Sequence, residues 1–271
     1  MEKLKVIKIG GNIVDDPTKL ERFISDFAKL EGLKILVHGG GKVATTIGKS
    51  LGIETTMING RRVTDRPTLD VVTMVYAGLI NKNIVAQLQA VSCNAIGLCG
   101  VDGAFINSRK RSPHPIDYGF VGDPVSVNIA TAKLLLGGGV VPVIAPITGD
   151  MGGTLLNTNA DTVAQTIATG LAGEYETELV YCFEKRGVLE NVEDENSVIR
   201  HITPAIFEQL KAEKKVADGM LPKLENAFKA VDEGVERVVI CAAEAIGEDG
   251  NWGTVIGGCC GSDHATSAGR Q

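Results

Sequence analysis

The chain has 271 residues, 44% hydrophobic and 22% charged, with a formal net charge of −6. That composition supplies an ordinary core, which excludes global disorder, and the acidic balance excludes a basic stripe for nucleic acid. Met1–Lys8 lacks the apolar stretch of a signal peptide, and no run of ~18 uninterrupted apolar residues is present, so no transmembrane helix is expected.

Short apolar runs alternate with helical stripes along the chain, which predicts alternating β and α units around an open, mainly parallel sheet sandwiched between helices. Val6–Ile9 reads as a buried strand that runs into Gly10 and Gly11. Pro17 after Asp15 and Asp16 predicts a capped helix start, with Leu20, Phe23, Ile24, Phe27 and Ala28 on one face and Gly32 at its end. Ile35–Val37 is the second strand, followed by His38-Gly39-Gly40-Gly41 and a helix marked by Val43, Ile47 and Leu51. Val71–Val91 reads as helical, broken near Gly78.

Ala95–Leu98 is predicted as a strand and residues 109–118 as a basic loop with two prolines. Asn128–Leu136 reads as a helix, Val140–Ala145 as a strand, Thr162–Leu171 as a helix and Leu179–Phe183 as a strand. Helices near Pro204–Lys214 and Met220–Val231 and a strand at Val238–Cys241 complete the pattern. The boundary expected at Gly170–Glu176 divides two lobes, 1–173 and 174–271, that share one sheet.

Six cysteines do not make a disulfide scaffold in a chain of this length. Cys93, Cys99, Cys182 and Cys241 stand singly in apolar stretches, and adjacent Cys259 and Cys260 lack His or Cys partners at metal spacing. No metal site is predicted, and a reducing cytoplasm is the expected location.

Glycine is in excess, 33 of 271 residues or about 12% against a usual ~7%. The surplus clusters at predicted strand ends: Gly10 and Gly11, Gly39–Gly41, Gly100 and Gly103, Gly152 and Gly153. Glycine there lets backbone N–H groups approach an anion at a helix N-terminus. Neither G-x-x-x-x-G-K-[ST] nor G-x-G-x-x-G occurs at these places, so any phosphate cradle belongs to another design. Lys8, near the end of an apolar strand, is costly to bury unless its ammonium meets an anion. Asp161 reads either as a helix N-cap, a task Asn159 can share, or as a functional carboxylate; Lys223 reads either as a solvated helix lysine or as a functional cation.

Taken in order, Lys8-Ile9-Gly10-Gly11, Val37-His38-Gly39-Gly40-Gly41, Asn59-Gly60-Arg61-Arg62-Val63-Thr64, Gly97–Gly103, Pro142–Pro146, Asn157-Thr158-Asn159-Ala160-Asp161, Asp218–Lys223 and Gly253-Thr254 span nearly the whole chain. Together they resemble the acetylglutamate kinases of the amino acid kinase family. The resemblance implies transfer of the ATP γ-phosphoryl group to the side-chain carboxylate of an N-acylated glutamate in arginine biosynthesis. It implies Lys8 and Lys223 flanking the moving phosphoryl, with Asp161 holding both ammonium groups. Gly10 and Gly11 fall on the nucleotide side, with Gly11, Gly40 and Gly41 offering backbone donors. Arg62 and Asn157 match positions that hold the acylated amino acid, and Mg²⁺ is expected with ATP. The first lobe would bind acylglutamate and carry dimerisation, and the second would bind nucleotide.

Three departures stand out. Phe183-Glu184-Lys185-Arg186 before Gly187 replaces the Thr/Ser-Asp-Val stretch of relatives, while Lys215, Val216 and Ala217 match the other nucleotide-side stretch. Arg61 stands where relatives carry an apolar residue; it either faces solvent or, helped by Arg109, Lys110 and Arg111, selects N-succinylglutamate over N-acetylglutamate. The chain starts at its first strand, so a homodimer insensitive to arginine is expected. The competing expectations are a catalytically silent ligand-binding protein of the same fold and another amino acid kinase. No nucleic-acid or membrane partner is expected.

Overall fold

The computed structural model describes residues 1–191, 193–213, 220–246 and 253–258. The chain opens with β1 (Lys3–Ile9), α1 (Gly11–Val14), α2 (Pro17–Lys29), β2 (Leu33–His38) and α3 (Gly41–Ser50). A small hairpin, β3 (Met57–Ile58) and β4 (Arg61–Arg62), precedes α4 (Arg66–Thr73), a π-helical turn (Met74–Ile80) and α5 (Asn81–Ala90). Next come β5 (Ala95–Cys99), β6 (Ile106–Lys110), β7 (Gly122–Val127), α6 (Ile129–Gly137), β8 (Val141–Ala145), β9 (Ile147–Gly149) and β10 (Leu155–Asn157). The remainder is α7 (Ala160–Leu171), β11 (Glu176–Phe183), α8 (Pro204–Ala212), α9 (Leu221–Asp232), β12 (Arg237–Ala242) and β13 (Thr254–Gly257).

Seven strands form one sheet in the order β13-β12-β11-β1-β2-β8-β5. Only the β12–β13 pair is antiparallel. The sheet passes through residues 174–176 without interruption, because β11 hydrogen-bonds directly to β1. Alternation in the strands gives the sheet two apolar faces. Ile7, Ile9, Leu36, Val143 and Val180 face α2, α4 and α5; Leu4, Val6, Ile35, Val37 and Leu179 face α6, α7, α8 and α9.

Asp16 caps α2 by accepting from Thr18 N and Lys19 N, with Pro17 in the first helical position, and Leu20, Phe23, Ile24 and Phe27 are buried as the spacing predicts. In α3 the fully buried face is Ala44 and Gly48, while Val43 and Ile47 are half-buried and Leu51 is exposed. The predicted break near Gly78 is instead a π turn inside one helix running from Arg66 to Ala90. By length and composition alone that helix could cross a membrane; its apolar side, including Leu69, Val72, Ile84 and Leu88, is buried in the core. Arg109 and Lys110 belong to β6 rather than to a loop. A strand closing at Asn157 and leading into a helix is what the sequence predicts and is β10; with β6, β7 and β9 it builds a second sheet that the apolar runs do not announce.

Candidate active site

Lys8 lies on the α7 side of β1, continuing the Leu4, Val6 register to the C-terminal end of the strand. Its side chain is 10% exposed and its ammonium meets Asp161 Oδ1 at 2.6 Å. The carboxylate supplies the counter-charge that makes this burial tolerable. The N-cap of α7 is Asn159, whose Oδ1 accepts from Asp161 N at 2.8 Å and Thr162 N at 3.1 Å. Asp161 is therefore not the cap, and its carboxylate is left to Lys8.

Lys223 enters from the first turn of α9. Its ammonium sits 3.7 Å from the centroid of the Phe183 ring, and that of Lys8 lies 5.8 Å from the same centroid. Burial pushes the Lys223 pKa below the ordinary lysine value, while Asp161 pulls it up and Lys8 pulls it down. Three charged side chains distant in sequence thus share one cluster at the carboxyl ends of β1 and β11.

The two glycine loops flank this cluster. Gly10 precedes α1 in extended backbone, and Gly40 precedes α3 with φ +150°. A Cβ on Gly40 would stand 2.2 Å from Ile80 Cδ1, so backbone angle and space both demand glycine. Behind the loop, His38 is completely buried. His38 Nδ1 lies 2.8 Å from the Gly39 carbonyl, which only accepts, so Nδ1 carries the proton. Nε2 then accepts from Asn81 Nδ2 at 3.2 Å, and Asn81 Nδ2 also donates to the Val143 carbonyl at 2.9 Å. Burial pushes the His38 pKa down to about 4, in keeping with a neutral ring. Lys42, after the loop, donates to Asn12 Oδ1 and ties the two glycine loops together.

Two cavities of about 250 Å³ each open here. Gly11, Gly39–Gly41, Arg61, Arg62, Tyr76, Asn157 and Asn159 line the first. Arg62 donates to the Gly41 carbonyl (2.9 Å), Thr45 Oγ1 (2.9 Å) and Thr55 Oγ1 (2.7 Å). The same guanidinium donates to the Tyr76 hydroxyl, so its position is fixed from several sides. Asn157 donates to Thr64 Oγ1 at 3.0 Å. Arg61 is exposed and shares the same cavity. Arg111 cannot assist it, because it is paired with Asp123 across the β6–β7 hairpin end.

Gly10, Asn12, Cys182, Phe183, Glu184, Lys185, Gly187 and Lys223 line the second cavity. Glu184 is exposed, and Lys185 pairs at 2.7 Å with Glu195. Arg186 is exposed and is not among the lining residues. Gly187 is pressed against Thr254, whose Oγ1 would be 2.7 Å from a Cβ there. Lys215, Val216 and Ala217, like Cys259 and Cys260, lie outside the described residues. Among the described residues no group of His, Cys, Asp or Glu is arranged to hold a metal ion.

The structure thus brings together Lys8, Asp161, Lys223, Gly10, Gly11, Gly40, Gly41, Arg62 and Asn157. Sequence reasoning missed Phe183, whose replacement of a small polar residue was a visible signal. It also missed Asn81, which carried no signal, since a polar residue inside an amphipathic helix reads as its solvated face.

Residues 3–242 match the sequence profile described as the amino acid kinase family. The chain belongs to the amino acid kinase family. Within it, the chain is 54% identical to the acetylglutamate kinase of Cytophaga hutchinsonii over 258 residues, covering 95% of this chain and 98% of that one. It is 53% identical to the acetylglutamate kinase of Phocaeicola vulgatus over 255 residues, 94% and 98% of the two chains. Among solved structures, N-acetylglutamate synthase from Neisseria gonorrhoeae complexed with coenzyme A and N-acetyl-glutamate shares the fold at TM-score 0.79 and 20% identity. That match covers 94% of this chain and 59% of the other.

Proposed function

We infer that the chain catalyses ATP-dependent phosphorylation of the side-chain carboxylate of N-acetylglutamate in arginine biosynthesis. The observation that carries this reading is the Lys8–Asp161–Lys223 cluster between two cavities, in a chain about half identical to acetylglutamate kinases over most of its length. A carboxylate oxygen attacks the γ-phosphorus, the bond to the β–γ bridging oxygen breaks, and ADP leaves with those electrons. Both reactants are anions, so the difficulty is repulsion, and catalysis is positioning plus neutralisation. Lys8 and Lys223 flank the moving phosphoryl, and Asp161 pairs with Lys8 and acts on Lys223 through its charge. The backbone N–H groups of Gly11, Gly40 and Gly41 are further donors for the phosphoryl oxygens. No general base is needed, because the attacking carboxylate is ionised at neutral pH.

The first cavity suits the acylated amino acid, with Arg62 and Asn157 as its contacts, and the second suits ATP, with Gly10, Glu184, Lys185 and Gly187 on its wall. Lobe 1–173 therefore carries acylglutamate and lobe 174–271 the nucleotide, apart from the shared loop Gly10–Ile13. Mg²⁺ would enter with ATP, held by phosphate oxygens and water. Exposed Met74 and Leu79 on the long helix, with Ile96 on edge strand β5, support a homodimer, which sedimentation would test. The free thiols Cys93, Cys99, Cys182 and Cys241 suit a reducing cytoplasm.

The decisive assay couples ADP release to N-acetylglutamate and traps the acyl phosphate with hydroxylamine to give a hydroxamate. Binding of both ligands without ADP release would instead identify a silent binder, and turnover of carbamate or free glutamate alone would identify another amino acid kinase. Arg61 on the wall of the first cavity supports a second reading, in which the acyl group carries its own carboxylate, as in N-succinylglutamate. Side-by-side kcat/KM values for the two substrates decide, and an Arg61→Leu variant that loses nothing with the succinyl compound would remove that reading.

A further inference from the structure

Phe183 occupies an unusual place for an apolar ring. It ends β11, lines the second cavity, and puts its face 3.7 Å from the Lys223 ammonium and 5.8 Å from that of Lys8. The ring is itself held: it stacks on Tyr181 at 6.2 Å between centroids, and the Tyr181 hydroxyl donates to the Asp161 carbonyl at 3.3 Å. Tyr181, Phe183, Asp161 and both lysines therefore form one braced unit.

Two ammonium groups close together repel each other and need negative potential nearby. A second carboxylate would provide it, but its charge would also repel the incoming phosphoryl group and the attacking carboxylate. An aromatic face offers negative potential with no net charge, and it cannot be titrated or carried away by ATP. We propose that Phe183 is a positioning residue for phosphoryl transfer, its ring holding the Lys223 ammonium, and more weakly that of Lys8, where the moving phosphoryl passes. This rests on the reading of Lys8 and Lys223 as the cations that flank the phosphoryl.

The ring stabilises the charged form of Lys223, whereas burial destabilises it. Among the described residues, Asp161 and Lys8 are the charged groups that act on this ammonium. Weakening the ring therefore lowers the Lys223 pKa further, and the alkaline limb of kcat moves to lower pH.

The test compares wild type, Phe183→Leu and protein with 3,4,5-trifluorophenylalanine installed at position 183, which keeps the ring's shape but weakens its face. We expect kcat to fall roughly tenfold for Phe183→Leu and about threefold for the fluorinated ring. The KM for N-acetylglutamate stays within twofold, the thermal midpoint of the fluorinated protein is unchanged, and the alkaline limb of kcat moves down in both. A fluorinated protein with wild-type kcat and an unmoved limb overturns the proposal. So does a rise in the KM for ATP alone, which would make Phe183 a nucleotide contact. Lys8→Ala and Lys223→Ala run beside them: if both retain more than a tenth of wild-type activity, the underlying reading of the lysines has failed, not merely the role of the ring.

Discussion

The two cavities are built on different principles. In the first, the half-buried and buried polar side chains are already bound to the protein, Arg62 to Gly41, Thr45 and Thr55 and Asn157 to Thr64, with exposed Arg61 at the rim, while the Gly39–Gly41 loop behind them is braced by His38 and Asn81. In the second, Glu184 and Lys185 stand exposed, and Lys185 is held only by a surface pair with Glu195. A wall that must fix a small acyl-amino acid in line with a phosphorus atom gains from preorganised donors, because misplacement costs rate directly. A wall that grips a long nucleotide can rely on many weak contacts. Lys223 lines the second cavity, and it clusters with Lys8 and Asp161, which adjoin residues of the two walls, Lys8 beside Gly10 of the second and Asp161 next to Ala160 of the first.

That contrast can be broken by substitution. Lys8→Ala should cost about a thousandfold in kcat, the order expected for a charge-stabilising group, as measured by steady-state ADP release. A loss of tenfold or less would make that cluster no more demanding than the walls. Gly40→Ala should come next, because its Cβ meets Ile80 at 2.2 Å in a backbone region closed to other residues. Overpacking there should lower stability by about 1–3 kcal/mol in denaturant titrations and reduce kcat more than a hundredfold.

The brace behind the first cavity has its own pH signature. The folded pKa of His38, about 4, lies below its unfolded value near 6.5. Between those values the unfolded chain binds the extra proton, so stability is complete above pH 6.5 and is lost as pH falls toward 4. A loss of about 3 kcal/mol is the upper scale. The thermal midpoint of His38→Asn should fall less over that window than wild type; parallel curves would show that His38 is not the group titrating. Removing the cap with Asn159→Ala should cost about 1 kcal/mol in the thermal or denaturant midpoint. At the weak end, Lys185→Ala should leave the thermal midpoint within error, since exposed pairs contribute little and salt screens them. A large rise in its KM for ATP would sharpen the picture of the second cavity.

Much of this was legible beforehand for a physical reason. Buried parallel strands such as Val6–Ile9 and Val140–Ala145 are continuous apolar runs, and the capped, one-faced helix at Pro17–Lys29 shows its period and its punctuation. The short strands β6, β7, β9 and β10 are three residues long or partly polar, and the strand pairing that joins the β6–β7 and β9–β10 ladders, Asn107 with Gly149, spans 42 positions, so local pattern does not report the sheet they build. The π turn at Met74–Ile80 looks like a break in the sequence, because spacing of apolar residues around Gly78 cannot separate a widened turn from an interrupted helix.

Residue types and their order were sufficient to define the alternating α/β frame and the glycine loops, which follow from periodicity and chain punctuation; Asp161 and Lys223 stayed open on the residues alone, and only the resemblance to a known family singled them out with Lys8. Only the folded chain could decide that Asn159 caps α7 while Asp161 turns to Lys8, that Arg111 is spent on Asp123, and that Phe183 lies beneath two ammonium groups. Helix period and the apolar runs of the buried strands are settled by neighbours a few residues away. Ion pairs and ring contacts are settled by distances that the fold closes between residues from a dozen to more than a hundred and fifty positions apart, as in Arg111–Asp123, Phe183–Lys223 and Lys8–Asp161.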